Sequence, residues 1–231
     1  MVKQRDVPPA VEPPATPPSP PGGTSMTYEQ FLDWLDEDTL AEWVDGKVVM
    51  ASPASDRHQE IAAFLFELLR TFVKVHALGV VRHAPFQMRL NRPSGREPDL
   101  LYVAAAHRDR IKETYLDGPA DLVVEIVSPE SAGRDRGDKF YEYQAAGIPE
   151  YWLIDAEREA AEFYQLDERG RYQLVPADAN GVYHSRTLAG VWLRVAWLWQ
   201  QPLPDAVDAL LEIDGETYAR YLRERLRDAG R

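Results

Sequence analysis

The sequence predicts one α/β domain, and three of its features indicate that class. Within residues 121–155, the runs LVVEIV and EYWLID have the apolar, β-branched composition of strands, and residues 135–146 between them have helical spacing. A strand, a helix and a strand within about 35 residues form a right-handed parallel crossover. Residues 55–76 carry an apolar stripe at helical spacing, as expected of a long helix packed on a sheet. The sequence shows no internal repeat and no second core.

The other elements follow from local signals along the chain. Thr27 begins a short helix, TYEQFLDWLDE, and the two strands of AEWVDGKVVMAS flank an Asp45-Gly46 turn. Gly79 is expected to end the long helix, and Gly147 to cap the helix before EYWLID. The remaining predictions are successive strands in VVRHAPFQMRL and EPDLLYV joined by a turn at residues 91–95, a short helix over residues 109–115, an outer hairpin turned at residues 168–170, and an arginine-rich helix from Glu216.

Composition sets the expected limits of the domain. The chain has 231 residues, 45% of them hydrophobic, which suffices for one well-formed core. Eight of the eighteen prolines lie in residues 8–23, where hydrophobic periodicity is missing. We therefore expect a disordered leader over residues 1–25, a folded domain over residues 26–213 and a C-terminal arginine-rich helix over residues 214–231.

Features that the sequence lacks exclude several classes of protein. Prolines occupy the place of a signal peptide's apolar stretch, and no run approaches the roughly 18 apolar residues of a membrane span. The absence of cysteine excludes disulfides and thiolate metal sites and favours a cytoplasmic location. The phosphate-binding loops and the serine-hydrolase and zinc-protease motifs are missing, and the five histidines have no zinc spacing.

The charge distribution bears on nucleic acid as a partner. A net charge of −12 argues against a protein that coats nucleic acid non-specifically. Residues 82–96 are a local exception, because Arg82, Arg89, Arg92 and Arg96 occur there without any acid. These arginines could clamp the phosphates of DNA, or they could belong to an ordinary solvated hairpin.

Glu125 stands in the middle of an otherwise apolar strand. An ionised carboxylate buried there would lose about 5 kcal/mol of hydration unless a cation or strong donors replaced the water. The sequence therefore leaves two interpretations open. Glu125 is either salt-bridged to a nearby arginine, or it belongs to a functional site.

Asp99 and Lys139 could combine with Glu125 in metal-dependent phosphodiester chemistry, which needs converging oxygen ligands and a nearby cationic group. Asp99 opens the strand DLLYV after Pro98, Glu125 lies in the next strand, and Lys139 lies on the following helix. Lys139 shares a helical stripe with Tyr143, which could direct it towards the strands. Alternatively, it is a surface lysine paired with Asp135 or Glu142, and Tyr143 belongs with Tyr151 and Trp152 in the core.

The segments PDLLYV, LVVEIVSPES, DRGDKFYEYQAAGIPEYWLID and EWVDGK resemble, in order and spacing, the "putative restriction endonuclease" family of Uma-two type, part of the PD-(D/E)XK nuclease superfamily. The resemblance runs from about Thr27 to Ile213. It implies a restriction endonuclease-like fold, with a mixed central sheet flanked by helices in a single domain. It also implies that Asp99, Glu125 and the backbone carbonyl of Ile126 hold Mg²⁺ or Mn²⁺.

One departure from the superfamily motif concerns the lysine. A strict E-X-K would place lysine at position 127, where this chain has Val127, and the resemblance implies that Lys139 has taken over the role. Glu42 matches a family glutamate before the Asp-Gly turn, and is either a further carboxylate of the site or a surface acid. His58 matches a family histidine, and is either a phosphate or metal contact or a surface group at the helix start.

Two functions are compatible with this sequence. The first is a metal-dependent endonuclease acting on DNA, in which Asp99, Glu125, Lys139, Glu42 and His58 form the site. The second is a binding or scaffolding protein that retains the fold without catalysis. A basic groove beside Asp99 would favour the first function, and Glu125 paired with an arginine would favour the second. A homodimer is compatible with either function.

Overall fold

The computed structural model describes residues 26–35, 39, 41–44, 46–50, 54–90 and 94–230. The predicted leader, Asp45 of the predicted Asp-Gly turn, residues 91–93 of the predicted 91–95 turn, and Arg231 lie outside the described residues. Arg92 of the basic segment therefore also lies outside them.

Thirteen strands and five α-helices lie along the described chain. The strands are β1 (Ala41–Val44), β2 (Lys47–Met50), β3 (Gly79–His83), β4 (Gln87–Arg89), β5 (Ser94–Arg96), β6 (Leu100–Ala104), β7 (Tyr115–Asp117), β8 (Leu122–Val127), β9 (Glu150–Asp155), β10 (Ala160–Leu166), β11 (Tyr172–Leu174), β12 (Val182–His184) and β13 (Trp192–Arg194). The α-helices are α1 (Tyr28–Trp34), α2 (Asp56–Val75), α3 (Ala132–Arg134), α4 (Phe140–Ala146) and α5 (Ala206–Ala229). A π-helical turn (Asp135–Lys139) joins α3 to α4, and two 3₁₀ turns cover Ala105–Arg110 and Val195–Trp199.

A mixed six-stranded sheet with the order β11-β10-β9-β8-β6-β3 forms the centre of the molecule. Strands β8 and β9 are parallel, and the other pairs in this sheet are antiparallel. A second sheet has the order β2-β1-β5-β4-β7, and β12 pairs with β13 alone. The α/β class, the mixed central sheet with flanking helices and the parallel strand pair around the 135–146 helix are confirmed.

Alternating side chains of the central sheet divide its core between two faces. One face carries Leu100, Val124 and Ile126, which pack against α2, α5 and the β12–β13 pair. The opposite face carries Val123 and Leu153, which pack against α4 and the second sheet. Glu125 follows the parity of Val123, so its side chain lies on the α4 face.

The strand predicted in VVRHAPFQMRL was wrong in its extent, because this run contributes β3 to the central sheet and β4 to the second sheet, whereas EPDLLYV contains β6 alone, as predicted. Strands β3 and β6 pair in the central sheet, whereas β4 and β5 pair in the second sheet. Pro85 lies between β3 and β4 and Pro98 between β5 and β6, and neither can donate a ladder hydrogen bond. Gly95, placed in the predicted turn, lies in β5.

Three helix predictions also need correction. The long helix ends at Val75 with His76 as its cap, before Gly79, and Ala77 adopts a left-handed φ of 54°. The predicted helix over residues 109–115 is replaced by the 3₁₀ turn and β7, because the Lys112 N–H donates to the Tyr115 carbonyl and closes a turn. The C-terminal helix begins at Ala206 and is divided by the non-helical Asp214, so the predicted arginine-rich helix from Glu216 is its second stretch and a first stretch precedes it.

Gly79 is required where β3 begins, and its substitution gives a first testable prediction. Its φ is 157°, and a Cβ atom there would lie 2.1 Å from the Val103 carbonyl oxygen. We expect Gly79→Ala to lower the free energy of unfolding by about 1–3 kcal/mol, measured by urea denaturation. Gly133→Ala is the matched control, because its Cβ would meet nothing within 4 Å. Equal losses in both variants would contradict the steric explanation.

None of the described helices is both long enough and apolar enough to cross a lipid bilayer.

Candidate active site

The five side chains predicted for the site line one pocket: Glu42, His58, Asp99, Glu125 and Lys139. They come from the start of β1, the first turn of α2, the residue before β6, the middle of β8 and the π-helical turn. Ile126 is part of the same lining. The fold therefore brings together residues that are up to 97 positions apart in sequence.

Asp99 is fixed at the edge of the central sheet by two contacts. Its Oδ2 accepts a hydrogen bond from the Ile126 N–H at 2.6 Å, and its Oδ1 lies 2.9 Å from His58 Nε2. Leu100 pairs with Val124. When this antiparallel register is extended by two residues, Pro98 lies opposite Ile126. Since proline has no N–H to donate, the Ile126 carbonyl has no ladder donor at that position. The Pro-Asp pair thus supplies one carboxylate and leaves one backbone carbonyl available beside it.

Glu125 is buried, with 3% of its surface exposed, and it is not paired with an arginine. The Tyr143 hydroxyl donates to Oε1 at 2.7 Å, and Lys139 Nζ lies 3.0 Å from the same oxygen. No described residue donates to Oε2. Burial raises the pKa of Glu125 well above its usual range; Lys139 opposes this rise, and the neighbouring carboxylates of Asp135, Asp99 and Glu42 add to it.

Lys139 is not a surface lysine. Its Nζ lies 3.0 Å from Glu42, 3.0 Å from Glu125 and 3.3 Å from Asp135. Burial alone would lower the pKa of Lys139, but these carboxylates outweigh it and raise the pKa well above its usual range. The ammonium therefore stays charged inside the protein. The predicted pairing with Asp135 is present, whereas the alternative partner Glu142 binds Arg96.

Glu42 is a buried member of the site rather than a surface acid. Its carboxylate contacts Lys139 Nζ and, at 3.0 Å, Arg96 Nη1, and it accepts the Glu97 N–H at 3.3 Å. Burial raises the pKa of Glu42, but Lys139 and Arg96 together hold it below its usual range. Glu42 is thus an ionised carboxylate that fixes the position of the Lys139 ammonium.

His58 lies in the first turn of α2 with its ring turned towards Asp99. The cap of this helix is Ser55, whose hydroxyl accepts the backbone N–H of His58, so the imidazole itself does not cap the helix. Burial lowers the pKa of His58, but its hydrogen bond to Asp99 more than offsets this and the pKa is raised. With Nε2 occupied by Asp99, the buried Nδ1 has no hydrogen-bond partner among the described residues.

Two acids of the pocket were not identified from the sequence as members of the site. Glu97 accepts a hydrogen bond from Gln87 at 2.6 Å, and burial raises the pKa of Glu97 to about 7. Asp135 is 1% exposed and lies in the π-helical turn, a type of helix distortion that is frequent at functional sites. The spacing of four between Asp135 and Lys139 was the only sequence signal for Asp135.

The described arginines of the predicted basic segment do not share one surface. Arg96 was wrongly predicted as a DNA contact: it is 1% exposed and its guanidinium is enclosed by Glu42 and Glu142. Arg89 is ion-paired with Glu29 at 3.2 Å, and Arg82 is exposed. The side chains of the described arginines therefore lie in different environments, because the strands of this segment belong to two different sheets.

The pocket is predominantly acidic, which bears on whether a divalent cation fits. Its lining contains Glu42, Glu97, Asp99, Glu125 and Asp135 against Arg134, Lys139 and His58. Among the described residues, no three carboxylate or imidazole groups are arranged to enclose a metal ion by themselves. This donor set fits a Mg²⁺-type cation, which takes one or two carboxylates, accepts carbonyl oxygens and retains several water molecules. The groups available to such an ion are Asp99, Glu125 and the Ile126 carbonyl.

Comparison with known proteins relates the chain to one protein family and to solved structures. The Uma2 family, described as "Putative restriction endonuclease", matches residues 28–196. The crystal structure of "a putative nuclease belonging to DUF820" from Anabaena variabilis ATCC 29413 superposes with a TM-score of 0.63 at 15% sequence identity, covering 75% of this chain and 97% of the other. At that identity the likeness concerns the fold alone. No curated protein matches the chain.

Proposed function

The chain belongs to the Uma2 family of restriction endonuclease-like proteins, and we propose that it is a divalent-cation-dependent endonuclease that hydrolyses phosphodiester bonds in DNA. The observation that carries this proposal is the environment of Glu125. It is a buried strand carboxylate that meets a lysine instead of an arginine and shares its pocket with Asp99 and the Ile126 carbonyl. A structural ion pair would not require these additional oxygen ligands.

Each side chain of the pocket has a role in this proposal. Asp99, Glu125 and the Ile126 carbonyl hold Mg²⁺ or Mn²⁺. When bound, such an ion stabilises the negative charge that develops on the phosphate oxygens. Lys139 orients the attacking water or stabilises charge on the scissile phosphate, and Glu42 positions its ammonium. His58, oriented by Asp99, contacts the phosphate.

Isosteric variants test the proposal without disturbing the fold. Asp99→Asn and Glu125→Gln keep an oxygen for Ile126 N–H and for Tyr143 and Lys139, but they remove the charge that attracts a cation. We expect both to abolish Mg²⁺ or Mn²⁺ binding in calorimetry and to reduce plasmid nicking by about 100-fold or more. Asp109→Asn, at an exposed position, is the control and should retain both properties. A homodimer would supply two such sites to the two strands of a duplex.

The result that would overturn the proposal is equally direct. A wild-type protein that binds neither ion and leaves supercoiled plasmid intact is not a nuclease of this type. If nicking persisted undiminished in Glu125→Gln, the activity would come from another site or from a contaminant.

A further inference from the structure

A second cavity adjoins the candidate active site. It lies between the first half of α2 and the end of β3, has a volume of about 250 Å³, and shares Asp99, His58 and Gln59 with the first pocket. A molecule in this cavity would therefore be in direct contact with the residues beside the proposed scissile phosphate.

The floor of this second cavity is apolar and partly aromatic. Ala62 and Ala63 leave space along α2, and the Phe66 ring stands against the His83 imidazole with ring centroids 4.5 Å apart and planes at 80°. No lysine or arginine is among the described residues that line it. The lining therefore suits a flat, uncharged group better than a phosphate.

The rim of the cavity offers hydrogen bonds in addition to the apolar floor. His83 Nδ1 lies 2.6 Å from the Ala84 carbonyl oxygen, so this nitrogen carries the proton and Nε2 of the neutral ring is an acceptor. Gln59 is exposed, and its amide makes no hydrogen bond to a described residue. An acceptor and an amide on the rim complement the donor and acceptor groups on the edge of a heterocycle.

We propose that this cavity is a subsite for an unstacked nucleobase of the nucleotide next to the scissile phosphate. This inference rests on the proposed function, since it identifies the neighbouring group of the same substrate. A nucleobase combines the properties that the cavity selects: it is planar, it packs against aromatic rings, and its edge forms hydrogen bonds. Because a paired base is not free to enter, the subsite favours single-stranded DNA or a nucleotide turned out of the duplex.

Binding to two oligonucleotides of equal charge tests this proposal. Fluorescence anisotropy in EDTA, where no cleavage occurs, would compare a labelled single-stranded 12-mer with the same length of abasic sugar-phosphate. We expect the natural strand to bind about 10-fold more tightly. Gln59→Ala and His83→Ala should each remove several-fold of that preference, whereas His184→Ala, at an exposed histidine outside the cavity, should not.

The outcomes separate this inference from the nuclease proposal. Base-dependent binding that disappears in His83→Ala and Gln59→Ala supports the subsite, even if the protein fails to nick plasmid. Equal binding of the natural and abasic strands, binding of neither strand, or a base preference unchanged in both variants overturns the subsite. Nicking that continues in any of those cases would leave the nuclease proposal standing by itself.

Discussion

Replacing Lys139 with methionine is expected to lower the free energy of unfolding by about 3–5 kcal/mol. Methionine retains the length of the apolar stem but removes the ammonium that contacts Glu42, Glu125 and Asp135. These carboxylates are buried, so water cannot replace the lost cation. Urea denaturation would measure the loss, with Lys112→Met as the control, since Lys112 is exposed and its ammonium donates to the backbone carbonyl of Asp109 rather than to a carboxylate.

Two further measurements connect this loss to the site. In a double-mutant cycle, Lys139→Met should lower the free energy of unfolding by less in the Glu125→Gln background. One of the three carboxylates that lose the ammonium is already neutral in that background. Added Mg²⁺ should restore part of the stability of Lys139→Met, because a ligand that binds the folded state stabilises it by mass action. A loss no larger than that of Lys112→Met would show that the three carboxylates do not depend on Lys139.

The sequence predicted features that depend on neighbouring residues better than features that depend on contacts between distant parts of the chain. Short-range signals were reliable: Thr27 forms a capping box with Gln30, and Gly147 caps α4 at a φ of 78°. The division of VVRHAPFQMRL between two sheets and the strand β5 within the predicted turn were missed, because strand composition does not reveal which neighbour a strand will find. Pro85, between β3 and β4, was a local indication of the first break, and Pro98 lies between β5 and β6.

The site shows the same distinction. Asp99, Glu125 and Lys139 were candidates from their residue types and their places in neighbouring elements, and the resemblance connected these motifs, which are distant in sequence. The burial of Arg96 was missed, because four arginines in one segment suggest a basic surface when their partners, Glu42 and Glu142, are unknown. Asp135 was considered only as a surface partner of Lys139, since a helix repeat does not show that a π-helical turn directs both side chains inward.

Glu150 is the clearest example of what composition could not show. It is a second glutamate in an apolar strand and is fully buried, yet strand composition does not distinguish it from Glu125. Its surroundings differ completely. Oε1 accepts hydrogen bonds from Trp152 at 2.7 Å and Tyr183 at 2.6 Å, and Oε2 accepts them from the Ser185 hydroxyl and the backbone N–H groups of residues 186 and 187.

Glu150→Ala is therefore expected to destabilise the fold by about 4 kcal/mol or more. Each buried donor left without an acceptor costs about 1–3 kcal/mol, and the segment that begins at Ser185 loses its attachment to β9. Glu150→Gln should cost about 2 kcal/mol, because its amide nitrogen would face donors that need an acceptor. Glu157→Ala, at an exposed position near the end of the same strand, is the control. A loss below about 1 kcal/mol for Glu150→Ala would contradict the structural role.

The two buried glutamates should then separate stability from function. Glu125→Gln removes one of several crowded carboxylates, so it should cost less than about 1 kcal/mol of stability while abolishing cation binding and nicking. Glu150→Gln should do the reverse, with lower stability and normal nicking per folded molecule, because its donors lie outside the pocket. The partners of the two glutamates explain this reciprocal pattern. The donors around Glu150 satisfy its carboxylate and stabilise the fold, whereas Glu125 lies beside Lys139 among other oxygen ligands and stays available to a cation.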